Sequence, residues 1–198
     1  LHDALPIWPV WLMALIVLCA YCTFWGTFSL GYFATDVFGQ TDSYGAALSS
    51  FRMWFRPLAA IAAGFIAQRT GTTNFLKVGF ILLVIAFFAL ALLPGNDRLL
   101  PLLWVDTALI AFMVYAIRGV YFALLEDTHI PHALTGAAVG VVSVIGYVPD
   151  IFFPAFTGWL FDTFPGRTGH QVLFMVLVLV SAIGAAATFQ ITKYTKLL

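Results

Sequence analysis

Residues 44–77 read YGAALSSFRMWFRPLAAIAAGFIAQRTGTTNFLK, a mostly apolar stretch with Arg52 and Arg56 in its interior and the polar turn Gln68–Thr73 near its end. As a helix it is long enough to cross a bilayer, which takes about 20 residues. A guanidinium at the centre of a membrane helix costs at least about 3 kcal/mol, so it must face protein, water or a ligand. Spaced four apart, the two arginines share one helix face. That face predicts the wall of a cavity or pore, and the rest of the chain is what encloses it.

The composition agrees. The 198 residues are 62% apolar and 9% charged, with mean hydropathy +0.99. A soluble domain carries about 25% charged residues; this chain is written for lipid. Nine basic and nine acidic residues cancel, which excludes a globally basic nucleic-acid binder. Aromatics at 17% suit interfacial belts and an aromatic-lined cavity. Cys19 and Cys22 lie in an apolar run and read as small buried hydrophobes rather than a redox or metal pair.

Apolar runs predict an all-α polytopic membrane protein with six transmembrane helices, at about residues 8–33, 44–67, 75–93, 101–125, 133–156 and 171–191. The runs are continuous rather than alternating, which argues against strands. Residues 1–7 include Ala4-Leu5-Pro6-Ile7, similar to a translated sequencing adapter, and are expected to be a non-native leader at the edge of a truncated gene. Residues 193–198 are expected to form a tail.

Ionisable residues are unevenly spread. Arg52, Arg56, Asp106, Arg118 and Asp150 all fall on spans two, four and five, whereas spans three and six are nearly uniform Leu, Val, Ile, Ala and Phe. Uniformly apolar helices suit lipid and helices with a polar stripe line an interior. Spans three and six are therefore expected at the periphery, with one, two, four and five around the cavity. An internal echo accompanies this. Gly64-x-x-x-Gln68 precedes Arg69-Thr70-Gly71, and Gly158-x-x-x-Asp162 precedes Arg167-Thr168-Gly169. Three spans apart, these turns lie on opposite membrane faces, as an inverted 3+3 repeat requires. Arg69, Lys77, Lys193 and Lys196 on one side against Arg98 and Arg167 on the other favour a cytoplasmic C-terminus.

Gly64-x-x-x-Gln68-Arg69-x-Gly71 resembles the loop motif between the second and third helices of each half of a major facilitator superfamily transporter, although the acidic position is Gln68 and the terminal basic pair is Thr72-Thr73. Thr135-Gly136-x-x-x-Gly140-x-x-Ser143-x-Ile145-Gly146-Tyr147-x-Pro149-Asp150, with Arg118-Gly119-x-Tyr121 before it, is similar to two later helices of a bacterial branch of that superfamily. The resemblance implies a C-terminal six-helix half of a secondary transporter, completed by an N-terminal six-helix half. It also implies a bacterial inner membrane, a central substrate site and alternating access.

Within that frame Arg52 and Arg56 are substrate contacts or members of structural ion pairs. Arg56 lies about 18 Å from the outer end of its span with no acidic residue at its depth, which makes it the better candidate for substrate charge. Arg52 lies at a depth similar to Asp150, and the two are expected to pair or to share in substrate binding. A guanidinium fork recognises carboxylate, phosphate or sulfonate, so a small organic anion is the expected substrate, with a proton or sodium as coupling ion. Asp106 is an interfacial carboxylate in contact with water or, like Asp150, a proton-coupling group. Arg118 snorkels, pairs with Glu126 or lines the cavity. Trp25, Tyr21, Trp54, Tyr115 and Tyr121 stack on a ligand or simply pack. Gly136 and Gly140 have small-residue spacing for close helix approach, and Gly146, Pro149 and Pro154 mark a kink.

Glu126, His129 and His132 recur every three residues after span four, but Pro131 interrupts them and a solvated loop, not a metal site, is expected. No G-x-S-x-G elbow, intramembrane histidine or phosphate-cradling glycine loop is present, so neither an enzyme nor a cofactor is expected. The alternative to a transporter is a non-transporting six-helix protein, a sensor or assembly subunit, that self-associates.

Overall fold

The computed structural model describes residues 8–128 and 132–195, and among these it is all-helical. The expected leader 1–7 and residues 196–198 of the tail lie outside the described residues, as does His129. The helices are α1 (Trp8–Gly26), α2 (Ser29–Phe38), α3 (Asp42–Thr70), α4 (Thr72–Leu92), α5 (Leu100–Val120), α6 (Leu124–Asp127), α7 (His132–Gly146), α8 (Pro149–Thr163) and α9 (Arg167–Thr195). Five helical stretches are long and apolar enough to cross a membrane: Trp8–Gly26, Thr72–Leu92, Asp97–Asp127, Ala133–Thr163 and Arg167–Tyr194. This is a polytopic membrane protein. The second expected span is α3, a single helix of 29 residues whose arginines, serines and Pro57 dilute its apolar character.

Three expected spans are broken, the fourth by the short tighter turn Tyr121–Ala123 between α5 and α6. The first divides at Thr27–Phe28 between α1 and α2. Three hydroxyls there turn back on the backbone: Thr23 Oγ1 donates to the Ala20 carbonyl (2.9 Å), Thr27 Oγ1 to Phe24 (2.7 Å) and Ser29 Oγ to Gly26 (2.7 Å). Such bonds offer carbonyls an alternative to the helical ladder and bend it. The fifth divides at Tyr147–Val148, just before Pro149, whose ring cannot continue a helix donor ladder. Pro154 lies inside α8 without ending it.

The polar turn expected at residues 68–73 is almost all helix. α3 runs to Thr70, α4 starts at Thr72, and Gly71 alone, at φ +86°, reverses the chain. Thr70 Oγ1 donates to Ile66 O and Asn74 Nδ2 to Thr70 O, which occupy carbonyls at the helix end. In the second copy of the echo the left-handed residue is Gly166, at φ +70°, while Gly169 lies within the first turn of α9. The two turns thus differ in backbone geometry. The tail also starts later than expected, because α9 continues to Thr195.

α4 and α9 pack along each other, α1 against α9 and α7, and α3 against α5. Phe80 and Phe87 of α4 and Phe174 of α9 are fully buried, Phe174 meeting the Phe33 ring edge-on at 4.9 Å. The outer rows Ile81, Ile85 and Phe88 on α4 and Leu179 and Ile183 on α9 are exposed, as on helices that meet lipid. In hydrocarbon such helices associate through close packing rather than water exclusion. Gly31 and Gly45 supply a close backbone approach: a Cβ on either would stand 2.8 Å from the other's carbonyl oxygen, so α2 can lie directly on α3.

Candidate functional site

The break between α1 and α2 builds the site. It directs Thr27 and Phe28 toward α3, and the Gly31–Gly45 crossing brings α3 near enough for Arg52 to reach them. Arg52 Nη1 donates to Thr27 Oγ1 at 2.8 Å, and its guanidinium carbon sits 3.9 Å from the Phe28 ring centroid. The residue is only 4% exposed, yet its Nε has no hydrogen-bond partner. The Tyr115 hydroxyl faces the same guanidinium. Beside it opens a cleft of about 620 Å³ between α1, α2, α3 and α8, lined by Trp25, Phe28, Tyr32, Ser49, Arg52 and Phe161 among others.

The expected Arg52–Asp150 pair does not form. Asp150, in the first turn of α8, instead accepts a hydrogen bond from Trp25 Nε1 at 2.7 Å. A hydroxyl and a ring face hold the arginine without cancelling its charge, and an indole N–H partners the carboxylate, so the two charges do not meet here. Arg56 is exposed one turn further along α3, outside the cleft lining, and no hydrogen bond or ion pair reaches it among the described residues. Pro57 follows it inside the helix and frees the carbonyl one turn back.

Arg118 meets the same face of α1 about one turn earlier, on Tyr21 and Phe24 rather than on Trp25 and Phe28. Its Nη2 donates to the Tyr21 hydroxyl at 2.9 Å, and its guanidinium carbon lies 3.9 Å from the Phe24 ring and 4.5 Å from the Tyr21 ring. Tyr147 closes on Tyr21 at 4.4 Å. Aromatic faces hold this cation, and the expected Glu126 pair is absent because Glu126 points outward from α6. Asp106 is buried against the protein rather than in contact with water: it is 8% exposed, with Oδ2 unpartnered among the described residues. The fourth expected span therefore contributes no residue to the cleft lining, although it was expected to do so.

Gly64 has open space around it, and so have Gly136 and Gly140, so none of them serves a close approach among the described residues. Gly146 does, since a Cβ there would strike Val17 of α1. Gln68 and Arg69 are exposed in the last turn of α3, and Trp54 is exposed as well. Cys19 and Cys22 are buried and unbonded.

One contact falls outside the expected site. His170 is fully buried in the first turn of α9, its Nε2 is 3.0 Å from Asp36 Oδ2, and its ring lies among Phe33, Phe161 and Phe174. The helical stretch that holds it, long and apolar enough to cross a membrane, runs from Arg167 to Tyr194. A sixth span placed to start at 171 excluded it by one residue.

The architecture defines the class: an all-helical, polytopic membrane protein with an arginine-floored cleft. No family model matches the chain. It is 25% identical over 187 residues to the inner membrane protein YihN of Escherichia coli K12, covering 93% of this chain and 44% of that protein. It is 25% identical over 168 residues to the inner membrane protein YqcE of the same organism, covering 79% and 39%. The chain spans less than half the length of the curated relatives it matches. These findings overturn the resemblance to the major facilitator superfamily, because no family model supports it and neither relative is assigned to that family by name.

Proposed function

We propose that this chain is the membrane-embedded part of a secondary transporter for a small organic anion, working by alternating access with further helices. α3 acts as a sixth span beside the five apolar ones, with α1–α2 and α7–α8 each serving as one broken span. An inner-membrane location accords with the relatives, and the bias of basic residues favours a cytoplasmic C-terminus.

One observation carries the reading. Arg52, Arg56 and Arg118 lie in long helices of a membrane protein, and among the described residues none has a carboxylate partner. Three guanidiniums kept at that cost call for an anion from outside the described residues, either a solute or a carboxylate of further helices. Arg52 offers the anion its contact in the cleft, and Arg56, one turn along and outside the lining, adds positive charge on the approach to it. Asp106 and Asp150 are the proposed coupling groups.

The test is uptake of labelled carboxylates, sulfonates and phosphate esters into vesicles holding the complete protein. Arg52→Ala and Arg56→Ala are each expected to lower uptake of the transported anion about tenfold or more, as loss of a charged hydrogen-bonding partner does. Unchanged uptake in both variants sinks the assignment. The second reading, a self-associating protein that moves nothing, is favoured by the exposed row Trp54, Leu58, Ile61 and Phe65 on α3. Association without uptake of any anion would select it.

A further inference from the structure

We infer that the cleft takes an elongated zwitterion, with its anionic end at Arg52 and its cationic end at Asp42. The inference rests on the reading of this cleft as the substrate site. Asp42, Gly45, Ala46, Ser49 and Arg52 all line it from α3. Their spacing puts them on one helix face. The stripe therefore runs from a carboxylate at the helix start, over small residues, past a hydroxyl, to a guanidinium.

The remaining polar groups narrow the choice. Ser29 Oγ is committed to Gly26 O, Thr35 Oγ1 to Tyr32 O, and Thr157 Oγ1 to Phe153 and Pro154 carbonyls. Among the described residues, no hydrogen bond or ion pair engages Asp42, Ser49 or the Tyr32 hydroxyl through their side chains. The open functions are thus a buried cation with an unpartnered Nε, two hydroxyls, and an exposed carboxylate. Asp42 and Arg52 are separated by about 15 Å of helix rise, shortened because arginine leans toward the helix N-terminus. Ala46 leaves a low floor between them, beside the point where Gly45 packs on Gly31, and Trp25, Phe28, Tyr32 and Phe161 form an apolar wall opposite. A solute with charges at its two ends and a slim apolar body matches the two charged groups, the low floor and the apolar wall.

The test measures binding to the complete protein, in detergent, of four probes: ω-aminohexanoate, ω-aminooctanoate, hexanoate and hexylamine. At least one ω-amino acid is expected to bind about fivefold tighter than hexanoate, a modest factor because Asp42 is exposed and solvent-screened. Hexylamine is expected to bind weakest. Asp42→Asn should erase the preference over hexanoate while leaving hexanoate binding unchanged, and Arg52→Gln should weaken all three carboxylates. Equal binding of hexanoate and both ω-amino acids, or a preference that survives Asp42→Asn, overturns the zwitterion and leaves the anion site standing. Carboxylate binding indifferent to Arg52→Gln, or no binding of any probe, overturns both.

Discussion

The Arg52 guanidinium is held by neighbours that carry no charge. One of its nitrogens meets a threonine hydroxyl and its flat face meets a phenylalanine ring, an arrangement that leaves the positive charge uncancelled. Asp150 mirrors it with an indole N–H. Trp25→Phe keeps the ring and deletes the donor, so it should lower the thermal midpoint by the equivalent of about 1 kcal/mol, whereas Asp150→Asn, which keeps an acceptor, should cost less. Equal losses would mean that the Trp25–Asp150 bond contributes nothing. Depth along the helices was readable from residue numbers, and it placed Arg52 and Asp150 together. What it could not convey is that hydroxyls and rings also satisfy charges. Thr27 and Phe28, the residues that hold Arg52, carry no signal beyond their place in a hydroxyl-rich end of α1.

At the scale of helices, apolar run length pointed to an all-helical membrane protein but not to where its helices break, and small-residue spacing located the wrong contact. Gly136 and Gly140 look like a packing face but meet open space, while Gly31 and Gly45 form the crossing. Spacing within one helix says that a close approach is possible, not which partner arrives. Gly45→Val should therefore separate α2 from α3 and destabilise by about 1–3 kcal/mol, the usual cost of overpacking. Gly136→Ala should be neutral or slightly stabilising in thermal unfolding of the same preparation. The reverse order would place the crossing elsewhere. The Asp36–His170 contact joins α2 to α9 in the same region. Asp36→Ala leaves the buried imidazole with neither nitrogen partnered, since Nδ1 already lacks one, and should cost about 1–3 kcal/mol.

Across the whole molecule, exposed apolar rows lie on α3, α4, α8 and α9, and α3 sets Arg56, without a partner among the described residues, in the midst of its row. Its composition is what keeps α3 out of the set of stretches apolar enough to cross a membrane unaided. That has a consequence for how the protein is made. Each helix leaving a ribosome is tested for partition into lipid, and a segment with two central arginines and a proline scores poorly by itself. The single-residue reversal at Gly71 ties α3 to α4, among the most apolar helices in the chain, so the two should enter the bilayer as one hairpin. Glycosylation-site mapping of α3 fused alone should report failure to insert, and the α3–α4 pair should report full insertion. Loosening the Gly71 reversal with a long polar linker should then strand α3 outside the membrane, on the side from which it was synthesised.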